Sequence, residues 1–96
     1  MDVRIQAINF DASEKLIAFI NKKAERVQRH SPAITSVDVK LTVVKPETVM
    51  NKEAVVKVLQ PQEEMVASKV ADTFEEAIDL CLEAIEKQLE KKKGQK

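Results

Sequence analysis

Residues 35 to 45 read Thr-Ser-Val-Asp-Val-Lys-Leu-Thr-Val-Val-Lys, and this alternation of apolar and polar side chains decides the fold. Successive side chains of a β-strand point to opposite faces, so a period of two predicts a strand with one buried face. The buried face is predicted to carry Val37, Val39, Leu41 and Val43. The solvent face is predicted to carry Asp38, Lys40 and Thr42. A sheet with one open face needs a layer of helices on its other face.

Three further strands and two helices flank this strand in the sequence. Strands are predicted at roughly 3–8, 52–59 and 64–71, helices at 13–29 and 73–93, and a loop at 46–51. The order is β-α-β-β-β-α, so we expect an α+β two-layer sandwich. Its four-stranded sheet is predicted to be antiparallel, with two helices on one face. We expect a single domain over residues 1–93 and a short tail over 94–96.

Both helices begin with recognisable capping residues. Ser13 is a candidate N-cap for the first helix, and Asp11 with Glu14 forms a rival capping box. Thr73 with Glu76 forms the Thr-x-x-Glu capping box of the last helix. The first helix is expected to end before Pro32, which disfavours a helical conformation in the residue preceding it.

The composition is that of a small intracellular domain with no net charge. Sixteen Lys and Arg balance sixteen Asp and Glu among 96 residues. One cysteine allows no internal disulfide and fits a reducing cytoplasm. No apolar run approaches the roughly 20 residues that span a bilayer, and Met-Asp-Val-Arg is not the start of a signal peptide. Three Phe with no Tyr or Trp argue against binding of bases by aromatic stacking.

The first helix sorts its basic residues onto one stripe. At about 100° per residue, the buried side is centred on Leu16, Ile20, Ala24 and Val27. A second stripe far from this side carries Lys15, Lys22, Arg26 and Arg29, with Lys23 and His30 nearby. Acidic residues occupy a third sector. The basic residues are therefore grouped on a solvent face and are not interleaved with acids.

The charge of the last helix changes sign along its length. Residues 72 to 86 carry only acidic charges, whereas residues 87 to 96 carry five lysines and one glutamate. The core side is predicted to carry Phe74, Ile78, Cys81, Ile85 and Leu89. One flank gathers Glu75, Asp79, Glu83, Glu86 and Glu90. The other flank carries Lys87 and Lys91, and the charge continues through Lys92 and Lys93.

Two explanations of these lysines remain open from the residues alone. Lysines in the last turns of a helix are stabilised by its dipole, by about 0.3–1 kcal/mol each. If the two helices pack side by side, their basic stripes would instead form one positive surface for nucleic-acid phosphates. Structured RNA, which proteins bind through shape and backbone, suits such a surface better than base-specific DNA does.

No arrangement typical of catalysis or metal binding is present in the sequence. His30 has no Cys or His at metal-ligand spacing, and Cys81 lies on the apolar stripe of the last helix, where a buried core thiol is expected. No Ser/His/Asp arrangement, Gly-rich phosphate loop or HExxH motif occurs. We therefore expect no enzyme activity, no metal and no cofactor.

Several segments together resemble the ribosome hibernation promoting factors. The last helix carries Ala77-Ile78-Asp79 followed by Lys87-Gln88-Leu89-x-Lys91-x-Lys93. In the same order as in that family, the chain also has Ser13-Glu14-x-Leu16-x-x-Phe19-Ile20, Lys23-x-x-Arg26-Val27 and Met65-x-Ala67-Ser68. The chain departs from the family at Ala84, where members commonly carry lysine, and at Thr73-Phe74-Glu75, where they carry Asp-x-Tyr. It is similar to the short form, without the long form's dimerisation domain.

This resemblance implies a fold similar to the double-stranded-RNA-binding fold and a role in bacterial translation regulation. Such proteins bind the small ribosomal subunit and its 16S rRNA in the mRNA and tRNA channel. They block translation and protect idle ribosomes in stationary phase or stress. The rRNA-binding positions that match the family are Lys23, Arg26, Lys87 and Lys91. Our helix analysis adds Lys22, Arg29, Lys92 and Lys93.

The resemblance also implies a cytoplasmic protein that is a monomer off the ribosome and that needs a second factor for any pairing of ribosomes. Two alternatives stay open at this point. One is a structured-RNA-binding module with another target. The other is a protein-interaction domain that uses an exposed sheet edge or the acidic helix flank.

Overall fold

A computed structural model describes residues 2–44, 51–61 and 63–94, and for residues 92–94 the description covers the backbone alone. The predicted order of elements is confirmed. The strands are β1 (Asp2–Ile8), β2 (Ser36–Val43), β3 (Lys52–Gln60) and β4 (Glu63–Ala71). The helices are α1 (Glu14–His30) and α2 (Phe74–Gly94). The predicted loop at 46–51 lies outside the described residues except for Asn51.

The four strands form one sheet in the order β1-β2-β3-β4. β2 pairs with β3, and β3 with β4, in the antiparallel direction that the sequence predicts. The prediction of a wholly antiparallel sheet is wrong at β1, which pairs with β2 in parallel. The reason is the connection: α1 crosses the sheet between these strands and returns the chain to the same end. The alternation of apolar and polar residues shows which face of a strand is buried, but it contains no information about the direction of the strand.

β2, the strand whose alternating sequence predicts the sheet, has its side chains on the expected faces. Val37, Val39 and Leu41 are buried, whereas Lys40 on the opposite face is exposed. The same rule holds on β3, where Ala54, Val56 and Val58 are fully buried. Both helices lie on this apolar face and complete the core. The core side chains of α1 are Leu16, Ile20, Ala24 and Val27. Those of α2 are Phe74, Ala77, Ile78, Cys81, Leu82, Ile85 and Leu89.

The caps of both helices are the predicted hydroxyl residues. The backbone N–H of Leu16 donates to Ser13 Oγ at 3.1 Å, and that of Glu76 donates to Thr73 Oγ1 at 3.1 Å. Ser13, and not the rival Asp11, is therefore the N-cap of α1. Each hydroxyl satisfies one of the N–H groups that a helix start leaves unpaired.

The two helices run in the same direction, because each follows a strand of the same orientation and packs back across the sheet. Near their N-terminal ends, the ring of Phe10, four residues before α1, stacks on that of Phe74, the first residue of α2, with centroids 4.7 Å apart and planes 6° from parallel. At the other end of α1, His30 lies beside Glu86, Leu89 and Glu90 of α2. The last residues of α2 therefore extend beyond the end of α1.

Candidate nucleic-acid interface

The solvent side of α1 carries the predicted basic stripe. Lys22, Arg26 and Arg29 are exposed, and Lys23 is half-buried. These four side chains line one shallow depression of about 420 Å³, together with Phe19 and Glu25. At a rise of about 1.5 Å per residue, the cations from Lys22 to Arg29 span about 10 Å of the helix. The structure thus brings the four predicted α1 residues together.

Lys23 is held differently from the other three cations. Its Nζ lies 3.1 Å from Asp79 Oδ1 on α2 and 5.3 Å from the centre of the Phe19 ring. The Lys23 side chain is 27% exposed and that of Asp79 is 50% exposed, so solvent screens the pair and its net contribution is about 0–1 kcal/mol. Lys23 therefore bridges the two helices, and its charge is partly neutralised before any phosphate arrives.

The acidic flank of α2 faces α1. A groove of about 290 Å³ between the helices is lined on the α1 side by Lys23, Arg26 and Val27. Its α2 side is lined by Asp79, Leu82, Glu83 and Glu86. At 100° per residue, Lys87 and Lys91 lie roughly 80° and 120° around α2 from Asp79, and neither lines this groove. A row of carboxylates therefore separates the two basic stripes along the middle of the helices.

The basic residues of both helices nevertheless reach the same end of the molecule. Arg29 and His30 form the last turn of α1, and Glu86 and Glu90 of α2 lie beside His30. Lys87 and Lys91 are exposed on α2 at this level and beyond it. Lys92 and Lys93 lie on the helical backbone of α2, and their side chains are outside the description. The C-terminal ends of two parallel helices add their negative partial charges here, which these cations offset.

Two features of this surface could not be predicted from the sequence. Helical spacing places Asp79 in an acidic flank without identifying its partner, and it gives Phe19 no role beyond its place in the family motif. Opposite charges on the facing flanks of two helices are a usable signal, but only once their packing and direction are known. Residue spacing within one helix carries no such information.

The open face of the sheet is a second charged surface, but it carries both signs. Arg4 Nε lies 4.0 Å from Asp38 Oδ1, and Lys57 Nζ lies 3.5 Å from Glu64 Oε1. Asp38 Oδ1 is buried and has no hydrogen-bond partner among the described residues. Because cations and carboxylates alternate across the strands, this face lacks the grouped positive charge of α1.

Cys81 is the buried core thiol that the sequence predicts. It is fully buried, with Sγ 3.2 Å from the carbonyl oxygen of Ala54 and 3.5 Å from that of Ala67. Burial raises the pKa of the thiol to about 11. Since the thiolate is the reactive form, this side chain is not suited to act as a nucleophile at neutral pH.

No helix in the described part of the chain is both long enough and apolar enough to cross a membrane.

Comparison with known proteins identifies related chains. Residues 3–96 match the sequence profile of the family described as sigma 54 modulation protein / S30EA ribosomal protein. A search of curated protein sequences finds no significant match.

Two solved structures have a similar fold. A ribosomal subunit interface protein from Coxiella burnetii superposes with a TM-score of 0.86 at 22% identity, over 99% of this chain and 100% of that one. The N-terminal domain of Protein Y from Thermus thermophilus superposes with a TM-score of 0.79 at 17% identity, over 95% of this chain and 98% of that one.

Proposed function

The chain belongs to the sigma 54 modulation protein / S30EA ribosomal protein family, the family of the hibernation promoting factors, and from this premise we propose how it acts on the ribosome. As a ribosome-associated protein it binds the small subunit through 16S rRNA, in the channel that mRNA and tRNA otherwise occupy. Binding excludes both ligands and keeps the idle ribosome inactive during stationary phase or stress. The action is steric and requires no chemical step.

One observation carries this proposal: α1 exposes Lys22, Arg26 and Arg29 on a single stripe. The helix dipole explains a cation only within the last turn, which applies to Arg29. Lys22 and Arg26 lie further from the end of α1 at His30, and Lys22 lies two turns from it. Helix stabilisation therefore does not account for them, whereas neutralisation of phosphates does.

The α2 lysines extend the proposed rRNA contact at the end where both helices carry cations. Lys87 lies about two turns before Gly94, so the dipole does not account for it either. Lys91 lies in the last turn, where both explanations apply. Lys92 and Lys93 continue the same basic run, and we include them in the proposed contact. Lys23 contributes less to the proposed phosphate binding than its charge suggests, because Asp79 already pairs with it.

Co-sedimentation with purified small subunits at graded salt tests the proposal. We expect binding whose log K falls linearly with log salt, and displacement by tRNA and mRNA. A chain that never sediments with the subunit contradicts ribosome binding. Binding that tRNA and mRNA leave unchanged contradicts the position in the channel and favours a structured-RNA module with another target.

Charge-removal variants test the two helices separately. Lys22→Gln with Arg26→Gln should lower the slope of log K against log salt by about 2, since about one unit is lost for each phosphate contact. Lys40→Gln is the matched control, because Lys40 is exposed on the opposite face of the molecule. In the otherwise unaltered chain, Lys87→Glu with Lys91→Glu should also weaken binding to the small subunit. Unchanged binding by this pair would remove α2 from the site.

A further inference from the structure

β4 is an edge of the sheet that is shaped to accept another strand. It pairs with β3 at all nine of its positions, Glu63 to Ala71, and among the described strands none lies on its other side. No proline interrupts these nine residues. Long regular edges pair with further strands unless a structural feature prevents it.

Side chains on this edge have a symmetric arrangement of charge. Glu63 and Lys69 lie three residues before and three residues after Val66. By strand alternation both lie on the helix-covered face, whereas Val66 lies on the open face and is 49% exposed. An antiparallel pair centred on Val66 sets Glu63 of each copy opposite Lys69 of the other. Directly opposite residues share a face, so the alternation permits both pairs.

The position of α2 fits the same symmetry. Because Cys81 Sγ lies close to carbonyl oxygens of both β3 and β4, α2 sits above the space between these strands. With strands about 4.8 Å apart, the α2 axes of two edge-paired copies would be about 10 Å apart, within the range of packed helices. The flank turned toward the other copy carries Leu80 and the small Ala84.

The exposed apolar side chains support this surface. Four large ones are exposed in the described part of the chain, and Val66 and Leu80 are two of them. On pairing, Val66 meets its own equivalent on the open face, and Leu80 approaches the second α2 on the other face. Both side chains then lose water contact, which favours association.

The sign change along α2 makes this helix complementary to an antiparallel copy of itself. Cys81 lies level with Ala67, next to the symmetry centre at Val66. Lys87 follows Cys81 by six residues and Glu76 precedes it by five, and at 100° per residue Glu76 and Lys87 lie within about 20° of each other around α2. A two-fold axis therefore brings Lys87 near Glu76 in the first turn of the second copy.

We propose that the chain forms a symmetric dimer with a second copy of itself, through antiparallel pairing of β4 and packing of the α2 flank with Leu80 and Ala84. The sheet becomes an eight-stranded sheet that spans both copies. Lys87 lies at the interface, so dimer formation and RNA binding by α2 exclude one another. The resemblance to the hibernation promoting factors implies a monomer off the ribosome, and one experiment decides between the two states.

Sedimentation equilibrium without ribosomes, from about 5 to about 500 µM protein, measures the state directly. We expect the average mass to rise from 10.8 kDa toward twice that value as concentration increases. An inward-facing lysine on an edge strand also serves in many proteins to prevent pairing. A mass of 10.8 kDa at every concentration would assign Lys69 that role and overturn the proposal.

Variants at the symmetry centre test the register. Val66→Lys sets two lysines directly opposite each other and should raise the dimer dissociation constant at least about tenfold. Val44→Lys is the matched control, since Val44 is 43% exposed at a distance from β4. Circular dichroism should confirm that both variants are folded. Equal dimerisation by Val66→Lys and by the unaltered chain contradicts pairing at Val66.

A charge exchange tests the reciprocal ion pairs. Glu63→Lys and Lys69→Glu should each weaken the dimer, because like charges then face each other at both ends. The double variant reverses both pairs and should restore dimerisation. A purely local role of either residue cannot produce such rescue, so rescue is specific to the reciprocal pairs. A double variant that dimerises no better than the single variants would therefore rule out this register.

Discussion

Lys23 of α1 and Asp79 of α2 form an ion pair across the two helices, with 3.1 Å between Nζ and Oδ1. The same lysine lies over the ring of Phe19, so two side chains, those of Asp79 and Phe19, fix its position. Asp79 belongs to the acidic row that lines the groove between the helices. The strength of the positive surface on α1 therefore depends on residues of α2.

Removal of the Asp79 charge should strengthen RNA binding. Asp79→Asn frees Lys23 and removes a carboxylate beside Arg26, so we expect a steeper salt dependence, by about 1 in the slope of log K. The free energy of unfolding, measured in urea, should change by no more than about 1 kcal/mol, since the pair is partly exposed. Asp2→Asn, an equal charge change on β1, serves as control and should leave both quantities unaltered. Weaker binding by Asp79→Asn would mean that Lys23 acts only when Asp79 positions it.

Addition of a lysine at position 84 tests the α2 flank. Ala84 is half-buried, on the flank of α2 that also carries Lys87 and Lys91. If this flank contacts rRNA phosphates, Ala84→Lys should raise the affinity for small subunits and steepen the slope by about 1. Ala84→Gln provides the neutral control of similar length. Equal affinities of the two variants would remove this flank from the contact.

Loss of either N-cap should destabilise the domain by a similar amount. Thr73→Ala and Ser13→Ala each leave an N–H group at a helix start without its side-chain partner, at a cost of about 1 kcal/mol. Thr73→Ser and Ser13→Thr keep the acceptor and should recover most of that stability. Chemical denaturation measures the difference, and an alanine variant as stable as its hydroxyl control would contradict the capping role.

Stability should fall at alkaline pH because of Cys81. Burial raises the pKa of this thiol from 9.0 to about 11, so above pH 9 the unfolded chain loses the proton and the folded chain retains it. The folded state then binds more protons, and the free energy of unfolding decreases as pH rises. Between pH 9 and 11 the raised pKa of this thiol should lower the free energy of unfolding by on the order of 2–3 kcal/mol.

Cys81→Ala isolates this contribution, since it removes the titrating group and retains every lysine. The difference in unfolding free energy between the two proteins should shrink as pH rises from 8 to about 10.5. A difference that stays constant over this range would mean that the thiol ionises equally well in the folded chain.

The elements and their buried faces could be predicted because each depends on neighbours in sequence. Val37, Val39 and Leu41 reveal a strand through a period of two, and Phe74, Ile78 and Cys81 reveal a helix through a period near 3.6. Ser13 and Thr73 mark helix starts through bonds that span three residues. The direction of β1 could not be predicted in this way, because it depends on how α1 carries the chain across the sheet.

The sequence by itself determined the element order, the core side of each helix and the grouping of Lys22, Arg26 and Arg29, since these follow from backbone geometry and residue spacing. Only the tertiary structure decided which flank of α2 faces α1. Packing of the two helices over one sheet turns the carboxylates of Asp79, Glu83 and Glu86 toward the α1 stripe, and Lys87 does not line the groove between the helices. The physical reason is that electrostatic contacts depend on distances between elements, and a single helix pattern contains no such distances.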